Sequence, residues 1–207
     1  MRQVYEICRM NYLAHAYLSF NIPEILVGNM TSDFIKGKKQ FDLSPGIQKG
    51  IRLHRAIDNF TDTHPATQEI KKIFRPNYRL YAGAFTDVVY DHFLANDTHE
   101  FTSLASLKDF SASVYAVLGE HLAELPEGFQ KMFVYMRSQD WLYNYCRQEL
   151  IQKSFWGLER RAKYLTESGV AFTLLTQNIP VMQSCYDEFF PQLKKFAAHT
   201  LQDLLNG

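Results

Sequence analysis

Residues 53–65 read Leu53-His54-Arg55-Ala56-Ile57-Asp58-Asn59-Phe60-Thr61-Asp62-Thr63-His64-Pro65. Two polar residues of this stretch, His54 and Asp58, continue a spacing that begins at Ile47 and Ile51. Positions at i, i+4, i+7 and i+11 share one face of an α-helix, and the two isoleucines indicate that this face is buried. The stretch therefore predicts an inward-facing helix surface with an imidazole and a carboxylate one turn apart.

A buried imidazole and a buried carboxylate need partners, because an unpaired charge is costly to remove from water. A divalent metal such as Mn, Fe or Zn is one such partner, since imidazole and carboxylate together suit these ions. A hydrogen bond between His54 and Asp58 inside the core is the alternative, and this stretch taken alone allows either.

A second helical pattern, over residues 80–94, places two more carboxylates on an inward face. Asp87 and Asp91 share a stripe with three apolar residues, Leu80, Ala84 and Leu94. Carboxylates at i and i+4 repel each other, so a positive group is expected beside them. Side chains from facing helices commonly form metal sites in the core of helical bundles. The second pair therefore strengthens the metal hypothesis.

Two single residues earlier in the chain are further candidates. His15 lies in an apolar segment, residues 10–18, which predicts a short buried helix where a lone histidine is usually a core residue. Asp33 is expected near the C-terminal end of an apolar helix that Gly37 ends, where the helix dipole disfavours a negative charge. Either a nearby cation or a surface position facing Lys36 would explain that aspartate.

The whole chain predicts an all-α protein with one domain, residues 10–207, after an N-terminal extension, residues 1–9. Its 207 residues suit one domain, and a 46% hydrophobic composition is ample for a core. There is no alternating strand pattern, glycine-rich phosphate loop or internal repeat. Further helices are predicted from Pro23, from Pro45 to about residue 61, and over 66–74, 80–94, 102–122, 128–149, 151–167, 170–177 and 181–205.

The charge balance and the cysteine content limit the classes of partner and the cellular compartment that suit this chain. The formal net charge is zero, so no bulk field attracts nucleic acid or membrane, and no apolar run approaches the ~18 residues of a membrane span. Residues 1–80 nevertheless carry 12 basic against 7 acidic residues, which favours a phosphate or an acidic partner; ordinary charge scatter is the alternative. Three distant cysteines without zinc-type spacing (Cys8, Cys146 and Cys185) and no signal peptide predict a cytoplasmic protein.

The candidate residues together favour a phosphate-processing metal site; a non-catalytic metal or a pure binding module is the alternative. One or two divalent metals would be held by a set of histidines and aspartates: His15, Asp33, His54, Asp58, Asp87 and Asp91. A bound metal polarises a phosphoryl oxygen and lowers the pKa of a bound water. His64 and His92 are candidates for proton transfer, and Arg55 for a phosphate contact. With His54 and Asp58 these three make up the predicted catalytic set.

Four motifs in order carry a resemblance to a known family. They are Asn11-Tyr12-Leu13-Ala14-His15, then Gly28-Asn29-x-x-x-Asp33-Phe34-x-x-Gly37, then His54-Arg55-x-Ile57-Asp58-x-x-Thr61-Asp62-x-His64-Pro65, then Asp87-Val88-x-Tyr90-Asp91-His92-Phe93-Leu94. This set, from Met10 onward, resembles the acyl carrier protein phosphodiesterase family. One departure from the wider His-Asp phosphohydrolase superfamily is that Asp91-His92 runs in the reverse order.

The resemblance implies an all-helical fold distantly akin to the His-Asp phosphohydrolases. It implies a Mn²⁺-dependent hydrolase, in which another divalent metal could replace manganese, that removes 4′-phosphopantetheine from holo acyl carrier protein. Such carrier proteins are strongly acidic, which agrees with a basic N-terminal part (Lys36, Lys38, Lys39, Lys49, Arg52 and Arg55). The alternatives are a small-molecule or nucleotide phosphohydrolase, and a helical module that binds carrier protein without cleaving it.

Overall fold

The computed structural model describes residues 12–162 and 164–207. Within these ranges the regular structure is helical and contains no strand, so the prediction of an all-α fold is confirmed. Cys8, Asn11 and the expected extension, residues 1–9, lie outside the described residues, as does the predicted start of the first helix. No helix in the described ranges is both long enough and apolar enough to cross a membrane.

Ten α-helices account for most of the described residues. They are α1 Tyr12–Tyr17, α2 Pro23–Thr31, α3 Pro45–Thr63, α4 Pro65–Tyr78, α5 Ala82–Ala95, α6 Leu104–Glu120, α7 Glu127–Ser138, α8 Trp141–Asn144, α9 Gln148–Arg161 and α10 Ser168–Asn206. Short 3₁₀ turns lie at Ser32–Phe34, Gly37–Asp42, Arg79–Tyr81 and Leu122–Glu124. The helix predicted over 128–149 is therefore two helices, and α2 ends at Thr31, before Gly37.

Helix α5 is the centre of the fold. Every residue of α5 except Gly83 is buried, because α1, α4, α9 and α10 all pack against it. The long helix α10 also contacts α3, α4 and α9. A helix that is apolar around its circumference is expected at such a position, and its polar residues need partners inside the protein.

Helices α2 and α3 touch through their backbones. A Cβ atom on Gly28 would lie 2.1 Å from the carbonyl oxygen of Ile47, and one on Gly50 would lie 2.4 Å from that of Ile25. Only glycine permits this separation, since no real Cβ comes so close to a backbone atom. The close crossing brings the backbone of α2 within reach of side chains on α3.

Local details around α3 and α4 differ from the sequence predictions. Helix α3 includes Thr63, and α4 is capped by His64, whose Nδ1 accepts a hydrogen bond from the Ala66 amide at 3.2 Å. Thr63 does not cap α4, because its hydroxyl donates to backbone carbonyls of α3 itself. Helix α4 also runs through Pro76 in its last turn, where proline cannot donate a hydrogen bond to the carbonyl oxygen of Lys72.

Two further differences concern Leu80 and α10. Leu80, expected on the inward stripe of α5, lies in the preceding 3₁₀ turn and is 87% exposed. The two helices predicted over 170–177 and 181–205 are one element, Ser168–Asn206, with a kink at Asn178, where φ is −121° and ψ is 15°. Pro180 lies two residues after the kink, and prolines are a common cause of kinks in long helices.

Candidate metal centre

Asn29, a fully buried residue of α2, fixes the ring of His15. Its Nδ2 donates to the His15 carbonyl oxygen at 2.9 Å and to Ser19 Oγ at 3.1 Å, which defines the orientation of the amide. Its Oδ1 lies 2.7 Å from His15 Nδ1. An amide oxygen only accepts hydrogen bonds, so His15 Nδ1 carries the proton. The neutral ring therefore presents a lone pair on Nε2.

The backbone of the same residue fixes His54. His54 Nδ1 lies 2.8 Å from the Asn29 carbonyl oxygen, which can only accept, so this ring also carries its proton on Nδ1. The two imidazole rings stack with their centroids 4.0 Å apart and 21° between their planes. One asparagine thus orients two histidines in parallel, with both Nε2 atoms available to a third group.

Two carboxylates lie at these Nε2 atoms. Asp58 places one oxygen 3.3 Å from His15 Nε2 and the other 3.5 Å from His54 Nε2. Asp33 Oδ1 lies 3.3 Å from His54 Nε2. One ligand atom each from His15, His54 and Asp58 falls within 4.8 Å of the others. The sequence prediction that His54 and Asp58 share an inward face is confirmed, and α1 adds His15 to them.

The centre has a buried floor and a more accessible rim. The side chains of His15 and His54 are only 2% and 6% exposed, whereas those of Asp58 and Asp33 are 17% and 34% exposed. A ligand approaching from solvent would therefore meet the carboxylates first, at the 3₁₀ turn that carries Asp33.

Burial and charge act differently on the two histidines. Burial, together with the neighbouring His54 ring, lowers the pKa of His15, and the charge of Asp58 only partly opposes this. Burial also lowers the pKa of His54, but the hydrogen bond to Asp33 and the charges of Asp58 and Asp33 outweigh it, so the pKa of His54 is raised. Without a cation, the His15 ring is therefore held neutral, and the charged form of the His54 ring is favoured.

The polar atoms at the centre fit a bound cation. His15 Nε2 is buried and has no hydrogen-bond partner among the described residues, and the same is true of Thr61 Oγ1, one turn after Asp58. A lone pair facing a carboxylate is repulsive, so a proton or a metal has to lie between the two. Two imidazole nitrogens with one or two carboxylates form a donor set that Mn, Fe and Zn accept. The residues therefore fit the metal that the sequence predicted.

Asp91 has a different set of contacts. Its two oxygens accept hydrogen bonds from the amides of Leu13, at 3.1 Å, and Ala14, at 2.9 Å, in the first turn of α1. Tyr145 adds a side-chain hydrogen bond. The structure therefore does not bring Asp91 into the group of His15, His54 and Asp58. Asp87 is also buried on α5, and its role as a ligand stays a prediction.

The other predicted catalytic residues are also dispersed. His64 caps α4, and its ring contacts Phe189 with centroids 5.1 Å apart. His92 Nδ1 donates to the Tyr145 carbonyl oxygen at 2.7 Å, and burial lowers its pKa. Arg55 is exposed beside His54 on α3. Of these three residues, only Arg55 adjoins the candidate centre in the chain, and proton transfer by the two histidines stays a prediction.

Asn29 contacts both histidines of the candidate centre, but the sequence predictions give it no role. It appears there only in the second motif, four residues before Asp33. A buried amide always needs partners, so its position was a usable signal. The partners of Asn29 are two histidines because α2 and α3 cross closely. Local sequence spacing does not reveal this crossing.

Known proteins resemble the chain over most of its length. A family model described as acyl carrier protein phosphodiesterase matches residues 10–193. The acyl carrier protein phosphodiesterase of Yersinia pestis is 30% identical over 190 residues, covering 92% of this chain and 98% of the relative. That of Yersinia enterocolitica is 31% identical over 184 residues, covering 89% and 95%. No solved structure gives a significant match. The chain belongs to the acyl carrier protein phosphodiesterase family.

Proposed function

We propose that this protein hydrolyses the phosphodiester that joins 4′-phosphopantetheine to a serine of holo acyl carrier protein. Water adds to phosphorus, the bond from phosphorus to the serine oxygen breaks, and that oxygen takes up a proton. The products are apo carrier protein and 4′-phosphopantetheine. The names of the relatives support the substrate, and the candidate metal centre supports the chemistry.

One observation carries the proposal: the Nε2 atoms of two histidines converge with the carboxylate of Asp58. His15, His54 and Asp58, with Asp33 at the rim, would hold a divalent metal, for which we propose Mn²⁺. Such an ion, when bound, polarises a phosphoryl oxygen and makes a bound water more acidic. The distant likeness to the His-Asp phosphohydrolases stays a prediction.

The chain's own residues provide orientation. Asn29 holds both imidazoles with their protons on Nδ1, so both rings remain ligands for a cation. Hydrogen bonds of this kind to ligating histidines typically raise metal affinity 10- to 100-fold, roughly. Arg55, exposed one residue after His54, is suited to contact a phosphate oxygen through its planar guanidinium group.

Basic residues near the rim suit an acidic protein substrate. Lys38 and Lys39 are exposed in the 3₁₀ turn that follows Asp33, and Arg52 and Arg55 are exposed on α3. Positive charge around a site accelerates the encounter with an acidic partner, and salt screens this effect. We propose that these residues guide the carrier protein towards the carboxylate rim.

Intact-mass spectrometry of holo carrier protein, incubated with this protein and Mn²⁺, tests the proposal. We expect conversion to the apo mass with release of phosphopantetheine, and loss of conversion with a chelator. His15→Gln should lower the rate at least ~10-fold, because it removes one nitrogen of the centre. His199→Gln, which changes an exposed histidine of α10, is the matched control.

Three results would contradict the proposal. An unchanged holo mass with stable complex formation would indicate a module that binds without cleaving. An unchanged holo mass with hydrolysis of simple phosphate esters or nucleotides would indicate a small-molecule phosphohydrolase. Conversion that survives both chelation and His15→Gln would show that the candidate metal centre does not perform the hydrolysis.

A further inference from the structure

A groove with aromatic walls lies between α7, α8 and α9, outside the candidate metal centre. Its volume is about 990 Å³. Its apolar walls come from both sides of the groove: Met132, Tyr135, Trp141, Tyr145, Leu150 and Trp156. The proposed hydrolysis gives this groove no role, although it is large enough for a substantial ligand or for part of a partner protein.

Two aromatic residues that line the groove are unusually exposed for their residue types. Trp156 on α9 is 65% exposed and Tyr135 on α7 is 60% exposed. Single exposed apolar residues need no explanation, but two large aromatic side chains on one concave surface favour an interaction site. Tryptophan and tyrosine also dominate the binding energy of many protein interfaces.

Two cations lie at the same groove. Lys153 and Arg160 both line it and stand seven residues apart on one face of α9. Neither forms an ion pair within the part of the chain that the structure describes, whereas Lys72, Lys131 and Lys194 each pair with a glutamate. The groove therefore combines an apolar floor with positive charge available for an anionic partner.

Helix α7 connects the groove with the candidate metal centre. Phe34, the neighbour of Asp33, packs edge-on against Phe129 of α7, with centroids 5.4 Å apart. Tyr135 of the groove lies on the same helix, about 9 Å further along at the helical rise of 1.5 Å per residue. Tyr12 donates to Met132 Sδ at 3.1 Å and begins the helix that carries His15. Packing contacts thus link the groove to α1 and to the turn that carries Asp33.

We propose that the groove is the docking surface for an acidic amphipathic helix of the carrier protein. The apolar side of that helix would lie on Tyr135, Trp141 and Trp156, and its carboxylates would pair with Lys153 and Arg160. An aliphatic chain would also bury against these aromatics but would leave both cations without an anion, so charge complementarity favours the helix. This inference rests on the proposed function for the identity of its partner.

Binding of apo carrier protein tests the inference, because the apo form lacks the arm that the metal centre would engage. The affinity is measured by isothermal titration calorimetry at low and high salt. We expect Lys153→Glu with Arg160→Glu to weaken binding at least ~10-fold at low salt, and less at high salt. Trp156→Ala should weaken it ~5-fold or more at both salt concentrations.

A charge-matched control separates docking from general electrostatics. Lys72→Glu with Lys195→Glu changes two exposed lysines of α4 and α10 that do not line the groove. This control should bind as the parent does. Equal losses in both double variants, or parental binding by the groove variants, would overturn the docking surface.

Binding of an acylated carrier protein tests whether the groove holds an aliphatic chain instead of a helix. If Trp156→Ala weakens binding of acylated but not apo carrier protein, and charge reversal has no effect, the groove holds the chain and the inference is wrong. The hydrolysis assay with holo carrier protein is run in parallel. Hydrolysis by the parent without any effect of the groove variants refutes docking alone, whereas groove-dependent binding without hydrolysis refutes the proposed function alone.

Discussion

Helices α3 and α5 both carry histidine and carboxylate side chains on inward faces, and the two sets have different partners. On α3, His54 and Asp58 lie beside His15 of α1, and the Nε2 atoms of both histidines face the Asp58 carboxylate. On α5, Asp91 accepts from two backbone amides of α1, and His92 donates to the Tyr145 carbonyl oxygen. The first set leaves ligand atoms available to a cation, whereas the second satisfies the protein's own backbone.

The difference shows how a buried polar residue reveals its role. A carboxylate whose lone pairs are taken by backbone amides stabilises the fold, in this case the first turn of α1. An imidazole with its Nδ1 proton bound to an acceptor and its Nε2 facing a carboxylate is ready to bind a metal. Substitutions on α3 should therefore act mainly on metal binding, and substitutions on α5 mainly on stability.

The largest effect is expected for His54→Gln compared with His92→Gln. His54→Gln removes a nitrogen of the centre and should lower carrier-protein hydrolysis more than ~100-fold, beyond the usual range for an indirect role. His92→Gln should mainly lower stability, by about 1–2 kcal/mol, because it perturbs a buried hydrogen bond. Initial rates per folded molecule and urea unfolding measure the two effects. Equal losses of activity would remove the distinction between α3 and α5.

The next effect tests how α2 supports the α3 set. Gly50→Ala would push a Cβ into the Ile25 carbonyl oxygen, 2.4 Å away, and overpacking of this kind costs about 1–3 kcal/mol. It should also move the Asn29 backbone away from His54 and weaken Mn²⁺ binding ~10-fold. Thermal unfolding and metal titration measure both changes.

Gly169→Ala in the first turn of α10 is the matched control. Nothing lies within 4 Å of its added Cβ, so stability should stay the same or rise by up to about 1 kcal/mol. If Gly50→Ala is as well tolerated as Gly169→Ala, the close contact of α2 and α3 is not needed for the candidate centre.

The third effect concerns pH and the α5 set. Burial raises the pKa of Asp91 well above its usual value, and the amides of Ala14 and Leu13 only partly oppose this. The folded protein therefore keeps this proton to higher pH than the unfolded chain does. The stabilisation is complete below the unfolded pKa, about 4, and is lost as pH rises towards the raised pKa. Asp91→Asn should remove this pH dependence.

Urea unfolding of Asp91→Asn and its parent, repeated between pH 4 and 8, measures that effect. The variant should also lose about 1–3 kcal/mol, because one amide acceptor replaces two carboxylate oxygens. Its Mn²⁺ affinity should remain parental once the protein is folded. A large loss of Mn²⁺ affinity without a change in stability would instead make Asp91 part of the metal site.

The smallest effect is expected for two buried threonines, one on α3 and one on α5. Thr86 of α5 donates to the Ala82 carbonyl oxygen at 2.9 Å, whereas Thr61 of α3 has no hydrogen-bond partner among the described residues. Thr86→Val should cost about 0.5–1.5 kcal/mol, and Thr61→Val should be neutral or slightly stabilising in metal-free protein. Denaturant midpoints measure both. A greater loss for Thr61→Val would show that its hydroxyl has a partner.

Much of this architecture follows from sequence periodicity. The spacing of Ile47, Ile51, His54 and Asp58 predicted one inward face, and three of these residues are buried while Asp58 lies at the rim. The spacing of Asp87 and Asp91 also predicted inward positions, and both are buried. Helical period therefore predicted which groups point into the protein.

Periodicity could not predict what those groups meet. Whether Asp91 meets a cation or the amides of Leu13 and Ala14 depends on where α1 packs, which is a contact between residues nearly eighty positions apart. The pairing of His15 with His54 likewise depends on Asn29 and on the glycine contact between α2 and α3. These are tertiary contacts, and local spacing carries no information about them.

Mn²⁺ binding to Asp58→Asn shows whether His15, His54 and Asp58 bind a divalent metal. Electron paramagnetic resonance of free Mn²⁺ gives the affinity of the parent, of Asp58→Asn and of Asp109→Asn, an exposed control on α6. The parent and the control should bind alike, and Asp58→Asn should bind at least ~10-fold more weakly, with added Mn²⁺ partly restoring hydrolysis by mass action. Equal affinity in all three proteins would show that Asp58 does not bind the metal and would leave His54 and Asp58 as a structural pair.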